Sequence, residues 1–317
     1  MKNESNLARS TKFGELQMAI WESDSKSVQS LLDGISVLDI NTSDFNGWTL
    51  LTYAIKLGKT RTGQREIVEH LLNHGVDINR RGGPLNLTAS EYAMQNCDLE
   101  MLKLLMKYRA NRTQNALAAS IDCGNSEIVY LLLKNESKQR EKDTALIKAA
   151  YHGEEKLAKI LLNNGANVNS SDDDGWTPLH FASAYGHIPT IELFIEHGAN
   201  MYARTSHSLV RGTVRHATPL LAAADHGKTA AEKILLQNGA NVNEQDHYGR
   251  TPLHFAAEKG LANAVKLLLS HGADISIRAN RSYDASGTAP FITPLFLAKE
   301  KGRTEVIKLL QENMYQS

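Results

Sequence analysis

One short phrase recurs along this chain at a fixed distance, and that recurrence limits the fold more than any other feature. Thr177-Pro178-Leu179-His180-Phe181-Ala182 is repeated without change as Thr251-Pro252-Leu253-His254-Phe255-Ala256. Weaker copies begin at Thr49, Thr144, Thr218 and Thr293. A second phrase follows each, as in Leu161-Leu162-Asn163-Asn164-Gly165-Ala166-Asn167-Val168-Asn169, and again from Leu235 to Asn243 and from Leu268 to Ile275. Thr144 and Thr177 stand 33 positions apart, and so do Thr218 and Thr251. A unit of that length cannot bury its own apolar face, so its copies must stack and share a core.

Each residue of the phrase has a physical task. Thr177 and Thr251 sit where a helix N-cap accepts an orphan backbone N–H. Pro178 and Pro252 fall at the first helical position, where a missing N–H costs nothing. Leu179, Phe181 and Ala182 fill a short inner helix, ended at Gly186, as its copy is at Gly260, by residues tolerant of positive φ. An outer helix over Ile188–His197 follows, with Ile191, Leu193 and Phe194 at apolar spacing. Gly198 and Gly239 end outer helices, and the stretches Asp172–Gly175 and Asp246–Gly249 read as β-turns.

The paired phrases and their period resemble the ankyrin repeat. The resemblance runs from about Phe13 to Gln311 and implies an all-α repeat solenoid, an ankyrin-repeat array of stacked helix-turn-helix units with projecting β-turn fingers. Roughly nine units are expected. Residues 1–12 are read as a flexible segment, 13–311 as one domain (irregular over about 13–143, regular over about 144–311), and 312–317 as a tail. Leu16, Ile20, Val28 and Leu31 suit an N-terminal cap, and Thr304 to Gln311 a C-terminal one. Ser137 to Lys142 reads as a polar linker.

The departures from the period carry this chain's individuality. Thr177 to Thr218 is 41 positions and Thr251 to Thr293 is 42, so two fingers are expected to be longer. They hold Arg204, His207, Arg211, Arg215 and His216, then Arg278, Arg281 and Tyr283. A regular finger with His247, Tyr248 and Arg250 lies between them, and an acidic one, Asp172 to Asp174, precedes them. A further insertion around Lys59 to Gln64 is expected between two helices.

In ankyrin arrays the inner-helix positions before the turn glycine usually face the concave groove. This resemblance puts Tyr151, His152, Tyr185, Asp225 and His226 there, with Trp176 projecting from a finger and Tyr248 and Arg250 nearby. Tyr, Trp and Arg dominate interface energetics, so these eight residues are the candidate contacts of a protein partner. The function expected is an interaction scaffold or adaptor. One alternative is a regulatory or substrate-receptor module acting on an enzyme in trans. Another is recognition of an acidic ligand (RNA, anionic lipid or a phosphopeptide) by Arg204, Arg211, Arg215, Arg278 and Arg281.

Enzyme chemistry is not expected. The chain has no HExxH, no phosphate-cradling loop and no G-x-S-x-G, and no cofactor or metal site is expected. His180 and His254 read as braces within the repeat. A formal net charge of +0, from 35 basic and 35 acidic residues, argues against bulk nucleic-acid binding. Cys97 and Cys123 form no metal-spaced set and no disulfide framework. They read as packing residues in a reducing interior, which fits a monomer in the cytoplasm, or in a host cell's cytosol for a chain from an intracellular pathogen. No secretory signal and no run of 18 apolar residues is seen. By resemblance, Asn169 and Asn243, each closing a Gly-Ala-Asn-Val-Asn run, match turns hydroxylated by an iron-dependent asparaginyl hydroxylase.

Overall fold

The computed structural model describes residues 2–58, 63–111, 116–134, 137–206, 216–280 and 291–314. Its contacts divide between Glu136 and Ser137 into two compact units. In the first, inner and outer helices alternate: α1 (Lys2–Glu22) with α2 (Ser25–Leu32), then the single turn α3 (Val37–Ile40), α4 (Leu50–Gly58) with α5 (Gln64–Asn73), α6 (Ala89–Gln95) with α7 (Leu99–Lys107), and α8 (Ala116–Asp122) with α9 (Ser126–Leu133). The second holds α10 (Gln139–His152) with α11 (Glu155–Asn163), α12 (Pro178–Tyr185) with α13 (Ile188–Glu196), α14 (Pro219–Asp225) with α15 (Thr229–Gln237), α16 (Pro252–Lys259) with α17 (Ala262–Ser270), and α18 (Pro294–Glu300) with α19 (Thr304–Met314).

The repeated phrase starts the inner helices as its chemistry requires. The Thr177 hydroxyl caps α12 by accepting the His180 N–H, and Thr218 and Thr293 cap α14 and α18 in the same way. A proline follows each at the first helical position. Within the second unit α12 packs between α10 and α14, and α16 between α14 and α18, while α13, α15 and α17 form the outer row between α11 and α19. Small residues permit this close stacking: Ala149, Ala150, Ala182, Ala184, Ala223, Ala256 and Ala257 are buried. Leu179, Phe194, Leu221, Phe255 and Leu268 fill the layer between the rows.

The fingers are held by an aspartate at their base. Asp172 Oδ1 accepts the N–H groups of Asp174 (3.0 Å) and Trp176 (2.9 Å), and the Asp172 N–H donates to the Trp176 carbonyl. Asp44 and Asp246 repeat the pattern in their own fingers. Gly175, at φ +76°, turns this finger, and a Cβ there would lie 2.8 Å from the Ser206 nitrogen of the next finger. Close approach and positive φ together require glycine. The Ser206 N–H donates to the Asp174 carbonyl at 2.8 Å, stringing one finger to the next.

Several expectations change. The polar start is helical from Lys2, as the first part of α1. Ser137 to Lys142 is no linker, because α10 starts at Gln139. Gln, Arg, Glu and Lys are strong helix formers, and tertiary bonds hold the added turn. Lys142 Nζ donates to the Asn164 carbonyl, and the Asp143 carboxylate accepts the Asn167 N–H. Thr144 therefore lies inside the helix, its hydroxyl bonded back to the Arg140 carbonyl. Residues 59–62 of the expected insertion, and 207–215 and 281–290 of the two long fingers, lie outside the described residues.

Cys97 and Cys123 are the largest departure. They are joined by a disulfide, with Cα atoms 5.5 Å apart, and are not free packing residues. Cys97 sits in the turn between α6 and α7, and Cys123 in the turn between α8 and α9, so stacking brings consecutive turns side by side. A link across 26 positions contributes about 3–4 kcal/mol by restricting the unfolded chain.

Candidate functional site

The turn that ends α10 sets up the strongest candidate surface, in the second unit. Gly153 caps that helix at φ +73°. A Cβ there would meet the His187 imidazole at 2.5 Å, so glycine alone lets the ring lie across the turn. His187 Nε2 is 3.1 Å from the Tyr151 carbonyl and donates to it. The next unit is thereby locked onto the last turn of α10, and that bond fixes where Tyr151 stands.

Tyr151 and Tyr185 stand in the last turns of consecutive inner helices, two and one positions before their turn glycines, and their rings meet edge to face with centroids 4.7 Å apart. They stay 40% and 41% exposed, so neither ring is spent in the core. His152 lies 5.0 Å from the Tyr151 ring, and His226 lies 6.1 Å from Tyr185 on the other side. Both histidines are exposed. His187 stacks parallel to Tyr185 at 6.1 Å. Asp225, half-buried at the end of α14, borders this strip. Edge-to-face rings hold each other in place, so the strip is ordered before any ligand arrives.

Trp176 does not project. It is 8% exposed, its ring 5.1 Å from Phe181 and 5.8 Å from His180. The finger folds its last residue back over the first turn of α12, where so large an apolar ring gains more from burial than from solvent. Arg250 takes the equivalent place two fingers on. Its guanidinium lies 4.5 Å from the Phe255 ring centre and 5.6 Å from that of Tyr248, and Nε donates to the buried Asp246 carboxylate at 2.9 Å. Both residues brace fingers. Tyr248 is half-buried beside His247, their rings 5.3 Å apart.

Of the basic set, Arg204 and Arg278 fall within the described residues. Arg204 donates to the carbonyls of His216 and Gln245, both at 2.9 Å, and pairs with Glu244. It thus ties two fingers together. Arg278 is exposed. Arg211, Arg215 and Arg281 lie outside the described residues. In the acidic finger Asp173 is exposed, and Asp172 and Asp174 are half-buried.

His180 and His254 are buried braces. The Thr177 N–H (3.2 Å) and hydroxyl (2.8 Å) donate to His180 Nδ1, which leaves the proton on Nε2 to donate to the Ala217 carbonyl at 2.9 Å. His254 repeats this with Thr251 and Ile292. Burial lowers both to a pKa of about 4, against the pull of the accepting carbonyls. Sequence reasoning missed Glu232 altogether. It is fully buried on α15, and neither carboxylate oxygen has a hydrogen-bond partner among the described residues. Burial raises its pKa to about 7. The signal was available: five positions after each turn glycine stand Ala158, Ile191 and Val265, all buried, and Glu232 takes that core place.

Asn169 and Asn243 bridge units. Asn169 Oδ1 accepts the Asn200 N–H at 2.7 Å while Nδ2 donates to the Gly198 carbonyl. Asn243 does the same to Asp274 and Gly272.

The comparisons with known proteins agree with this architecture. The family described as "Ankyrin repeats (3 copies)" matches residues 16–116, 60–143, 115–205 and 206–279. Human inversin is 31% identical over 265 residues, covering 78% of this chain and 24% of its own length. A palmitoyltransferase of Lachancea kluyveri is 29% identical over 154 residues, 44% of this chain and 21% of its own length. An ankyrin repeat protein of fowlpox virus is 29% identical over 163 residues, 50% of this chain and 91% of its own length. The chain therefore spans about a quarter or less of the first two. Among the described residues no helix is long and apolar enough to cross a membrane. With the repeat phrase, the paired helices and the matched segments all in agreement, this chain belongs to the ankyrin-repeat family.

Proposed function

We propose that the chain is a protein-binding scaffold whose second unit grips a partner on the strip formed by Tyr151, Tyr185, His152 and His226. One observation carries this reading: two tyrosines on consecutive inner helices hold each other at 4.7 Å while each stays about two-fifths exposed. Amphipathic rings that are ordered in advance give large contact area at low entropic cost, which is why Tyr is enriched at the centres of interfaces. The ankyrin family, which mediates protein–protein interaction in general, supports the class of function. Of the arginines that would favour an acidic ligand, Arg204 is already engaged by the carbonyls of His216 and Gln245 and by Glu244. That weakens the acidic-ligand reading.

The test is a retention experiment with the folded chain as bait. Tyr151→Ala/Tyr185→Ala is expected to lose a protein that wild type retains, with an unchanged far-UV spectrum and a cooperative melt only modestly lowered by the lost ring contacts. Truncating exposed rings removes contact area without opening the core. Full retention by the stable double variant would defeat the placement.

A further inference from the structure

We propose that the Cys97–Cys123 bond is a thiol-exchange site: small-molecule thiols open it, their disulfides close it, and its state sets how firmly α8 and α9 hold to the rest of the first unit. This does not rest on the partner-binding reading, which concerns the second unit.

Three observations meet here. The two cysteines join successive inter-helix turns, with Cα atoms 5.5 Å apart, and both are partly exposed. Beside them is a cavity of about 380 Å³ lined by both cysteines, with Leu87, Met94 and Ala119 on its apolar side and Glu91, Gln95 and Asp122 among its polar residues. A space of that size admits a small organic thiol. Lastly, Cys97 stands at φ +53°, a left-handed place that glycine fills at Gly153, Gly186 and Gly260. A side chain there costs about 1–2 kcal/mol, so the turn carries strain that the cross-link holds in place.

The step balances with the co-reactant named. A small thiolate attacks one sulfur, forms a mixed disulfide and expels the other cysteine as a thiolate, which takes a proton. A second small thiol then resolves the mixed disulfide. Two small thiols become one small disulfide, and the protein gains two hydrogens as Cys97 and Cys123 thiols. The Met94 carbonyl, 3.2 Å from Cys123 Sγ, accepts the new S–H. The reverse reaction uses a small disulfide such as oxidised glutathione. Once the bond opens, α8 and α9 are held to α6 and α7 by packing of Leu117, Ile121, Ile128, Val129 and Leu132 without the covalent tie.

The experiment uses the full chain, treated with oxidised glutathione and then with reduced glutathione or dithiothreitol, without denaturant. Alkylation followed by mass spectrometry reads the bond, and amide hydrogen exchange reads the helices. A peptide pair joined through Cys97 and Cys123 should appear after oxidation and vanish within minutes of native reduction. Protection over α8 and α9 should then fall on the order of a hundredfold, while α14 to α17 stay within about twofold. Cys97→Ser/Cys123→Ser should match the reduced chain and ignore added thiol. If that variant does not fold, reduced wild type alkylated at both thiols replaces it. A link that never forms, one that opens only in denaturant, or α8–α9 protection indifferent to the bond would each overturn the proposal.

Discussion

His180, His254 and Glu232 put three titratable groups in the core of the second unit, and they respond to pH in opposite senses. The unfolded chain protonates its histidines near the ordinary pKa of 6.5, but the folded chain resists until about 4. Their contribution is whole above pH 6.5 and drains as pH falls to 4, by about 3 kcal/mol each. Glu232 runs the other way. It ionises near 4.5 when unfolded and near 7 when folded, so its favourable state is complete below pH 4.5 and is lost as pH rises to 7, at about 3 kcal/mol. Glu232→Val, which copies the residue at the same place in the next unit, should raise the urea midpoint strongly at pH 8 and little at pH 4.5. An equal gain at both pH values would show that the carboxylate is not buried in the way described. The wild-type midpoint should still fall from pH 6.5 to 4.5, since two histidines outweigh one glutamate. The bracing role of the histidines was legible in the sequence because it belongs to the repeated phrase. Trp176 was not, because a residue between a finger and a helix can point either way, and only the fold of the finger settles it.

At the level of elements, caps and turns do most of the specifying. Thr177→Ala removes the cap of α12 and a partner of His180 Nδ1 together, so a loss of about 1–2 kcal/mol is expected in chemical denaturation. A loss near zero would mean that the phrase is not held by the hydroxyl. Gly153→Ala should cost as much or more, because it adds a left-handed side chain and displaces His187. It should also disturb the spacing of Tyr151 and Tyr185. Helix starts, turn glycines and the alternation of inner and outer helices could be read directly from Thr-Pro, Gly and apolar spacing. The extended α10 could not, since Gln139 to Lys142 has the polarity of a linker, and its bonds to Asn164 and the nearby turn add to helix propensity in holding it helical. The disulfide escaped for a related reason. Its 26-residue separation falls short of the 33-residue period, so the two cysteines did not align as equivalent positions.

The chain as a whole comprises two compact units, and its repeat motif says more about how it stands than about what it holds. Each unit is a stack whose stability is close to a sum over neighbours. Damage at Trp176, which is 8% exposed, is therefore expected to cost more stability than damage at Tyr151 or Tyr185, whose rings stay about two-fifths exposed. Binding through aromatic rings should also change less than about twofold between low and moderate salt, since exposed charge pairs are the contacts that salt screens. The central claim is that the second unit holds a partner on its tyrosine strip, and a photo-crosslinking residue placed at Tyr185 tests it most directly. Illumination in lysate should join the chain to one discrete protein, and the same residue placed at exposed Lys159 on α11 should not. Equal labelling from both positions, or none from Tyr185, would contradict the claim.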